Sequence, residues 1–307
     1  MMSRRDFLKI GGSLLAGSLV GDHGMASAAK SFTGNPDRYG MLSDLTRCIG
    51  CRRCEAACNK ANNLPEPKTS FEDESVFEEK RKPYVADVQA YTVVNRYYDS
   101  NGKPVYRKVQ CMHCDEPACA SACPVVAMKK SKEGPVIWNE DVCFGCRYCI
   151  VACPFHVPAY EYSNAFTPKV QKCFMCYHRI SEGIVPACAE ACPVEAITFG
   201  KRSELIKLAW TRILSEPDKY IDHVYGEHEA GGTGWLYISG VPFSQLDFPM
   251  DVGTTPYPEY TKDFLSMVGL TLISWPALFG GIYLMSNHRA ENVQDEVVDS
   301  EKEEDKL

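Results

Sequence analysis

The chain has 307 residues, of which 45% are hydrophobic and 24% charged, as in ordinary globular proteins. Its formal net charge of −7 excludes the strongly basic surface expected of a nucleic-acid-binding protein. The sixteen cysteines are the exceptional part of the composition. In an exported protein such a number first suggests a disulfide scaffold, and only the spacing of the cysteines can argue against that interpretation.

The N-terminus has the pattern of a twin-arginine signal peptide. Arg4 and Arg5 precede a Gly-rich apolar stretch over residues 10–20, and Ala26-Ser27-Ala28 follows as a small-residue cleavage site. The alternative is a chance arginine pair before a short helix. Twin-arginine export carries proteins that are already folded, which suits a protein that acquires metal clusters in the cytoplasm. We therefore expect residues 1–28 to be removed and the body of the protein to be periplasmic.

Short strands are predicted beside the cysteines. Residues 84–109 are rich in β-branched and aromatic residues and contain Asn101-Gly102, which indicates a β-hairpin. Residues 135–138 and 196–199 are two further short strand candidates. Such strands brace the cluster loops in ferredoxin-like folds.

After the cysteines, residues 203–214 have the periodicity of an amphipathic helix, with Ser203 as its expected N-cap. Residues 226–260 are rich in Gly, Pro and Tyr and contain one strand candidate, 235–238. We expect this segment to be an irregular docking extension across the body of the protein or a partner.

A membrane span is predicted near the C-terminus. Phe264 to Met285 is a run of 22 residues without a charge. A helix of that length extends roughly 33 Å, enough to cross a bilayer core of about 30 Å. A buried core helix is the alternative. Pro276 is expected to bend or loosen the helix, and Arg289 agrees with a cytoplasmic C-terminus. The acidic residues 291–307 are predicted to form a disordered tail.

The cysteines form four groups with related spacings, and none is left over. Each group has two closely spaced cysteines followed by two more, and a proline follows the last cysteine in all groups but the first. The groups are Cys48, Cys51, Cys54 and Cys58; Cys111, Cys114, Cys119 and Cys123; Cys143, Cys146, Cys149 and Cys153; and Cys173, Cys176, Cys188 and Cys192.

This repeated spacing favours [4Fe–4S] clusters. A cubane needs four thiolates in a tetrahedral arrangement. Three nearby cysteines wrap one corner of it, and the fourth ligand comes from elsewhere; in two-cluster ferredoxins the last cysteine of one run ligates the other cluster. Zinc sites use Cys-x-x-Cys pairs but do not need the third and fourth cysteines so placed. A disulfide scaffold has no reason to repeat the pattern four times.

The chain resembles the four-cluster, ferredoxin-like electron-transfer subunits of periplasmic and membrane-bound respiratory oxidoreductases. It is most similar to the iron–sulfur subunit of quinone-coupled Hyb-type hydrogenases and of related high-molecular-weight-cytochrome complexes. The resemblance rests on the signal, Cys48-Ile49-Gly50-Cys51, Cys111-Met112-His113-Cys114, the third group from Cys143 to Cys149, the 240–242 region and the C-terminal span. It implies an α+β fold of two ferredoxin-like [4Fe–4S] halves with an inserted β-hairpin, plus a single C-terminal transmembrane helix.

The resemblance also implies which cysteines share a cluster, because the first group pairs with the fourth and the second with the third. Two departures put the local loop shape in doubt, since Cys58 is followed by Asn59 rather than proline and the gap from Cys176 to Cys188 is long. The implied sets are Cys48, Cys51, Cys54 and Cys192 for cluster 1; Cys111, Cys114, Cys119 and Cys153 for cluster 2; Cys143, Cys146, Cys149 and Cys123 for cluster 3; and Cys173, Cys176, Cys188 and Cys58 for cluster 4.

These observations divide the chain into five parts. They are a signal peptide (1–28), a four-cluster domain (29–202, with an insertion at 59–110), a helix and docking extension (203–262), a transmembrane helix (263–286) and an acidic cytoplasmic tail (287–307). The expected function is electron transfer between a periplasmic catalytic subunit or multihaem cytochrome and a polytopic quinone-reacting membrane subunit. The alternatives are the equivalent subunit of a formate-dehydrogenase-like molybdenum enzyme and a non-redox zinc or disulfide scaffold.

No nucleotide-binding or catalytic constellation is apparent, so the chain is expected to be non-catalytic. His113 and His156 are expected to pack or hydrogen-bond near a cluster rather than to bind haem or metal. Five basic residues near the cysteine groups are candidates for offsetting cluster charge, with ordinary surface charges as the alternative: Arg47, Arg52, Arg53, Arg147 and Lys172.

Overall fold

The structure is a computed structural model that describes residues 37–83, 90–162 and 169–304. The predicted signal peptide and residues 84–89 of the β-rich segment lie outside the described residues. In chain order the strands and helices are β1 (Tyr39–Asp44), α1 (Arg53–Ala61), β2 (Val93–Tyr98), β3 (Pro104–Val109), α2 (Ala118–Ser121), β4 (Met128–Lys130), β5 (Val136–Trp138), α3 (Tyr148–Val151), β6 (Ala159–Tyr160), β7 (Val170–Gln171), α4 (Tyr177–Ser181), α5 (Ala187–Glu190), β8 (Ile197–Lys201), α6 (Arg202–Ser215), β9 (Trp235–Ile238) and α7 (Glu259–Glu304).

A three-stranded sheet lies at the centre of the core. Its order is β8–β1–β9, with β1 antiparallel to β8 and parallel to β9. Met41 of β1 is opposite Phe199 on one side and Trp235 on the other, and Met41 and Trp235 are fully buried. The segment expected to be an irregular extension therefore supplies an edge strand of this sheet, and the large apolar side chains of that strand are buried in the core.

Helix α6 packs against this sheet through Leu205, Ala209 and Ile213. The prediction that Ser203 caps the helix was wrong. The helix begins at Arg202, and its N-cap, Lys201, makes no side-chain capping hydrogen bond. A tertiary contact fixes this start instead, because the backbone N–H of Arg202 donates to the carbonyl of Arg38 at 2.9 Å.

Small hairpins and helices surround the cysteine groups. Strands β2 and β3 pair antiparallel on either side of the Asn101-Gly102 turn, and β4–β5 and β6–β7 form two shorter pairs. Helix α1, which carries Cys54 and Cys58, packs on α5, which carries Cys188. Helix α2 packs on α3 in the same way. The chain thus brings the first group to the fourth and the second to the third.

Helix α7 is, among the described residues, the one helix long and apolar enough to cross a membrane. Within its part Glu259–Ala290, the most apolar stretch of 18 residues has a mean hydropathy of 1.6, and none of that stretch is buried against the rest of the protein. This exposure argues against a buried core helix. The disordered tail predicted from residue 291 was wrong as far as residue 304, because α7 continues to Glu304. Glu and Lys are good helix formers, so a charged composition alone does not end a helix.

Candidate metal centres

The Cys-x-x-Cys loops of the first and third groups have the same backbone shape. Gly50 and Arg52 have φ values of 72° and 55°, and Gly145 and Arg147 have values of 75° and 64°. A Cβ atom on Gly50 would lie 2.3 Å from the ring of Tyr106, so only glycine fits there. Residues in the left-handed backbone conformation, next to residues in the right-handed one, turn successive backbone N–H groups inward. This forms the concavities that bind anionic clusters.

The Cys-Pro steps form a second repeated turn. Val126, His156 and Glu195, each three residues after its cysteine, have φ values of 54°, 50° and 50°. Each donates its N–H back to the carbonyl of that cysteine, at 3.1–3.3 Å. Cys58, which lacks the proline, instead lies inside α1, and Asn62 donates to its carbonyl through both the backbone and the side chain. The sequence departure at Asn59 therefore changes the helix end and leaves Cys58 facing inward.

The long gap between Cys176 and Cys188 is filled by local structure. Helix α4 and a turn at 182–186 occupy it, and α5 then presents Cys188. Cys176 and Cys188 are both buried. The gap lengthens the loop without removing either thiol from the core.

Two cavities in the structure are each lined by four cysteines from two different groups. Three of the four come from one Cys-x-x-Cys-x-x-Cys run, and the fourth is the last cysteine of the paired group. The first cavity is lined by Cys48, Cys51, Cys54 and Cys192, and the second by Cys143, Cys146, Cys149 and Cys123.

The remaining eight cysteines are also close to one another across groups. Burial, and next the neighbouring Cys173 thiol, raise the pKa of Cys58 well above its usual value, and Cys188 and Cys176 contribute further. Burial, and next Cys153, likewise raise the pKa of Cys114, followed by Cys111 and Cys119. All sixteen cysteines lie in the described residues, and all are free thiols.

Thiols that belong to other pairs of groups also lie close to one another. Cys54 neighbours Cys188, Cys173 neighbours Cys111, and Cys119 neighbours Cys149. Burial is the first cause of the raised pKa in each of these groups, and the neighbouring thiols add to it. Cysteines of the first group thus neighbour those of the fourth, the fourth group neighbours the second, and the second neighbours the third.

The donor set fits a cluster better than a single metal ion. Within the described residues no three His, Cys, Asp or Glu side chains converge closely enough to hold one ion. Three buried ring nitrogens beside the cysteines have no hydrogen-bond partner in the structure: His113 Nε2, Trp138 Nε1 and Trp235 Nε1. Buried N–H groups need acceptors, and the sulfur atoms of a cluster would supply them.

His113 is the clearest example of a buried ring nitrogen without a hydrogen-bond acceptor. It lies between Cys111 and Cys114 and is fully buried. Its Nδ1 accepts a hydrogen bond from the N–H of Val136 at 2.9 Å, so Nε2 carries the proton. Burial lowers the pKa of His113 well below its usual value, which keeps the ring neutral. The expectation of a buried, hydrogen-bonding histidine is met here, whereas His156 is exposed.

Comparison with known proteins agrees with this geometry. Residues 47–127 and 103–202 each match a 4Fe-4S dicluster domain. The Hydrogenase-2 operon protein HybA of Escherichia coli O157:H7 is 39% identical over 281 residues, which cover 81% of this chain and 84% of HybA. The chain belongs to the HybA family of iron–sulfur proteins. Its two dicluster domains and sixteen cysteines correspond to four [4Fe–4S] clusters.

Two other relatives match this chain over a longer and a shorter stretch than HybA does. A protein of Nitratidesulfovibrio vulgaris is 48% identical over 305 residues, covering 98% of this chain and 82% of that protein. The iron-sulfur subunit of the nitrate-inducible formate dehydrogenase of Escherichia coli K12 is 34% identical over 203 residues, covering 64% of this chain and 66% of that subunit. The likeness to the first extends beyond the cysteine groups to nearly the whole chain.

Two lysines, one buried and one half-buried, lie beside the cysteines of the second group of this iron–sulfur protein. Lys172 is fully buried, donates to the carbonyls of Val136 and Cys173, and lies near the Cys119 thiol. Lys130 donates to the carbonyls of His113 and Cys114 at 2.8 and 2.7 Å. Burial lowers its pKa to about 8, although Asp115 opposes this effect.

Lys108 is also buried, and it lies among cysteines of the first and fourth groups. Burial acts to lower its pKa, but the surrounding thiols, with Cys188 first, reverse the effect and raise the pKa above its usual value. Sequence reasoning selected Lys172 but missed Lys108 and Lys130, because a lysine in a short strand is ordinarily expected to face solvent.

The arginines selected from the sequence have other surroundings. Arg47, Arg53 and Arg147 are exposed, which agrees with the alternative of ordinary surface charges. Arg52 is buried, but it forms an ion pair with Glu55 at 3.2 Å and donates to the carbonyls of Ser70 and Asp73. Its charge is therefore matched by a carboxylate.

Proposed function

We propose that this chain is the electron-transfer subunit of a membrane-bound respiratory complex. It would relay electrons between a periplasmic redox partner, either a hydrogenase or a multihaem cytochrome, and a quinone-reacting membrane subunit. The observation that carries the proposal is the series of four neighbouring cysteine groups, together with two cavities that are each lined by four cysteines. When bound, the clusters supply one-electron carriers whose potentials depend on charge, hydrogen bonds and solvent exposure.

The proposed ligands are the four quartets implied by the family resemblance. The two cavities support the quartets completed by Cys192 and Cys123. The neighbours of Cys58 and Cys114 support the other two. Packing of α1 on α5 and of α2 on α3 supports the same pairing of groups.

The position of α7 supports an assignment of the two ends. Glu116, in the loop of the second group, lies beside Glu259 and Lys262 in the first turns of α7. The second group is thus close to the start of the membrane span, and Cys149 of the third group neighbours Cys119 of the second. We assign this end to the membrane subunit and the end at the first group to the periplasmic partner, with the C-terminus of α7 in the cytoplasm.

We further propose that the chain catalyses no bond-making reaction, because its sequence has no substrate-site motif. The formate dehydrogenase subunit is the reason to keep a second candidate, the equivalent subunit of a molybdenum enzyme. A HybA-like role is favoured because the match to HybA is longer. This chain also has a predicted signal peptide of its own, whereas the iron–sulfur subunits of molybdenum enzymes often rely on the signal peptide of a partner.

The test is a gentle detergent purification of the native complex, followed by mass spectrometry of the subunits that co-purify. A hydrogenase or multihaem cytochrome together with a polytopic membrane protein would support the proposal. A molybdenum enzyme subunit would favour the second candidate, and turnover of hydrogen by the isolated chain would contradict the non-catalytic role.

Membrane anchoring is tested separately by deleting residues 264–307. Because α7 is the candidate span, the truncated protein should appear in the soluble fraction after cell disruption, measured by immunoblot. Tight attachment of the truncated protein to membranes would mean that partners, rather than α7, hold it there.

A further inference from the structure

The ammonium group of Lys108 is buried between two of the cysteine quartets. Lys108 lies in β3 and is 3% exposed. It is within electrostatic range of Cys54 in the first-group quartet, and of Cys188, Cys173 and Cys58 in the fourth-group quartet. It also lines the cavity formed by the first-group quartet. One positive charge therefore faces two sites.

Its hydrogen-bond partners are neutral. The Nζ atom donates to Thr92 Oγ1 at 2.7 Å and to Gln110 Oε1 at 3.3 Å, and it lies 4.7 Å from the centre of the Trp235 ring. None of the ion pairs found between described residues includes Lys108. A buried ammonium without an anionic partner is strongly destabilising, so the charge calls for a nearby anion.

We propose that Lys108 is a positioning residue whose buried charge sets the reduction potentials of the clusters held by the first and fourth groups. This inference rests on the proposed electron-transfer function and its ligand sets. The two clusters are the anions that the ammonium lacks, and the shared charge acts on both of them.

The direction of the effect follows from electrostatics. Reduction adds one negative charge to a cluster, and a fixed positive charge in a site of low dielectric favours the more negative state. Removing the ammonium makes both clusters harder to reduce. The clusters of the second and third groups have Lys130 and Lys172 nearby, so their potentials should change least.

The experiment is a redox titration of the full-length protein in detergent, monitored by electron paramagnetic resonance, with Lys108→Met as the principal variant. We expect the reduction equilibrium of two clusters to shift at least tenfold towards oxidation, which is about 59 mV for one electron. The other two clusters should shift less. Lys108→Arg should restore most of the change, because it keeps the charge.

The matched control is Lys103→Met, which removes the same charge from an exposed position on the same hairpin. Water screens an exposed charge, so no cluster should shift comparably. Equal shifts in the Lys103 and Lys108 variants, or unchanged potentials after Lys108→Met, would overturn the proposal.

Iron content separates this inference from the proposed function. If wild-type protein lacks four clusters, the function fails before Lys108 is tested. If Lys108→Met loses iron, Lys108→Gln and Lys108→Arg are compared. Iron retained only with arginine supports the role of the charge, whereas loss in all three variants shows a packing role and overturns the proposal.

Discussion

The protein has two halves with the same arrangement of cysteines in different surroundings. One half contains the first and fourth cysteine groups, and the other contains the second and third. Each has a cavity lined by four cysteines. Each also has a buried carboxylate between two arginines. Glu55 lies between Arg52 and Arg81, and Asp115 lies between Arg38 and Arg202.

The surroundings differ most in exposure. The first-and-fourth half packs against the aromatic core around Trp235, and Lys108 is buried inside it. Cys51 of the first group and Cys146 of the third are both exposed, but the third group has more exposed large apolar side chains: Phe144, Tyr148 and Val151 are 64%, 61% and 80% exposed, against Ile49 at 56% in the first-group loop. The comparison teaches that the repeated cysteine pattern is common to both halves, whereas the residues around the cysteines differ in their charge and in their exposure to solvent.

The largest expected effect comes from separating the quartets with cysteine variants. Cys48→Ser and Cys192→Ser should each disrupt the same cluster, so the double variant should lose no more iron than either single variant. Cys48→Ser combined with Cys123→Ser should lose about twice as much, since two clusters of four irons are affected. Iron per chain is the measurement. Additive loss in the Cys48 and Cys192 pair would refute the shared quartet.

The buried carboxylates should differ in a second experiment. Asp115→Asn leaves Arg38 and Arg202 without their buried carboxylate charge, and should lower the free energy of unfolding by about 3–5 kcal/mol. Glu55→Gln should lower it less, because the side chain of Arg81 is 22% exposed and can be hydrated. Urea midpoints measured from the loss of cluster absorbance compare the two variants.

The control for this pair is Glu190→Gln, which removes the carboxylate of an ion pair with Arg179 that is largely exposed on the Glu190 side. Its effect should be about 1 kcal/mol or less. A larger loss of stability for Glu55→Gln than for Asp115→Asn would contradict the difference in burial between the two halves.

The smallest effects are expected from the cluster-loop glycines. Gly50→Ala places a Cβ 2.3 Å from the Tyr106 ring and should be the most destabilising, by about 2–3 kcal/mol. In Gly145→Ala the nearest atom is the Tyr160 hydroxyl at 3.0 Å, which can move, so about 1–2 kcal/mol is expected. Gly102→Ala, with φ of 77° and open space around it, isolates the backbone strain. Equal unfolding midpoints for all three variants would show that the close contacts do not matter.

Local patterns in the sequence predicted much of the fold. The strands at 135–138, 196–199 and 235–238 and the helix near 203–214 all occur, with ends shifted by one or two residues. Ser203 was misjudged because the helix start depends on Arg38, which is distant in sequence. The place of β9 beside β1 in the core sheet also could not be predicted locally, since this pairing spans almost two hundred residues.

The charged residues of the site were the hardest to predict. Both faces of the β2–β3 hairpin are covered, so adjacent residues in β3 are buried on opposite sides. Arg107 lies 3.7 Å from the Phe248 ring, and Lys108 lies by the Trp235 ring among the cysteines. Strand periodicity assigns only one of two neighbours to a core. Only the three-dimensional packing reveals that Lys108 is buried.

The central claim is that four clusters occupy the four quartets, and the most direct measurement is the iron and acid-labile sulfide content of the purified full-length protein. The account predicts about 16 iron and about 16 sulfide atoms per chain, as four cubanes require. Zinc in place of iron, or an iron-free protein with oxidised cysteines, would contradict it.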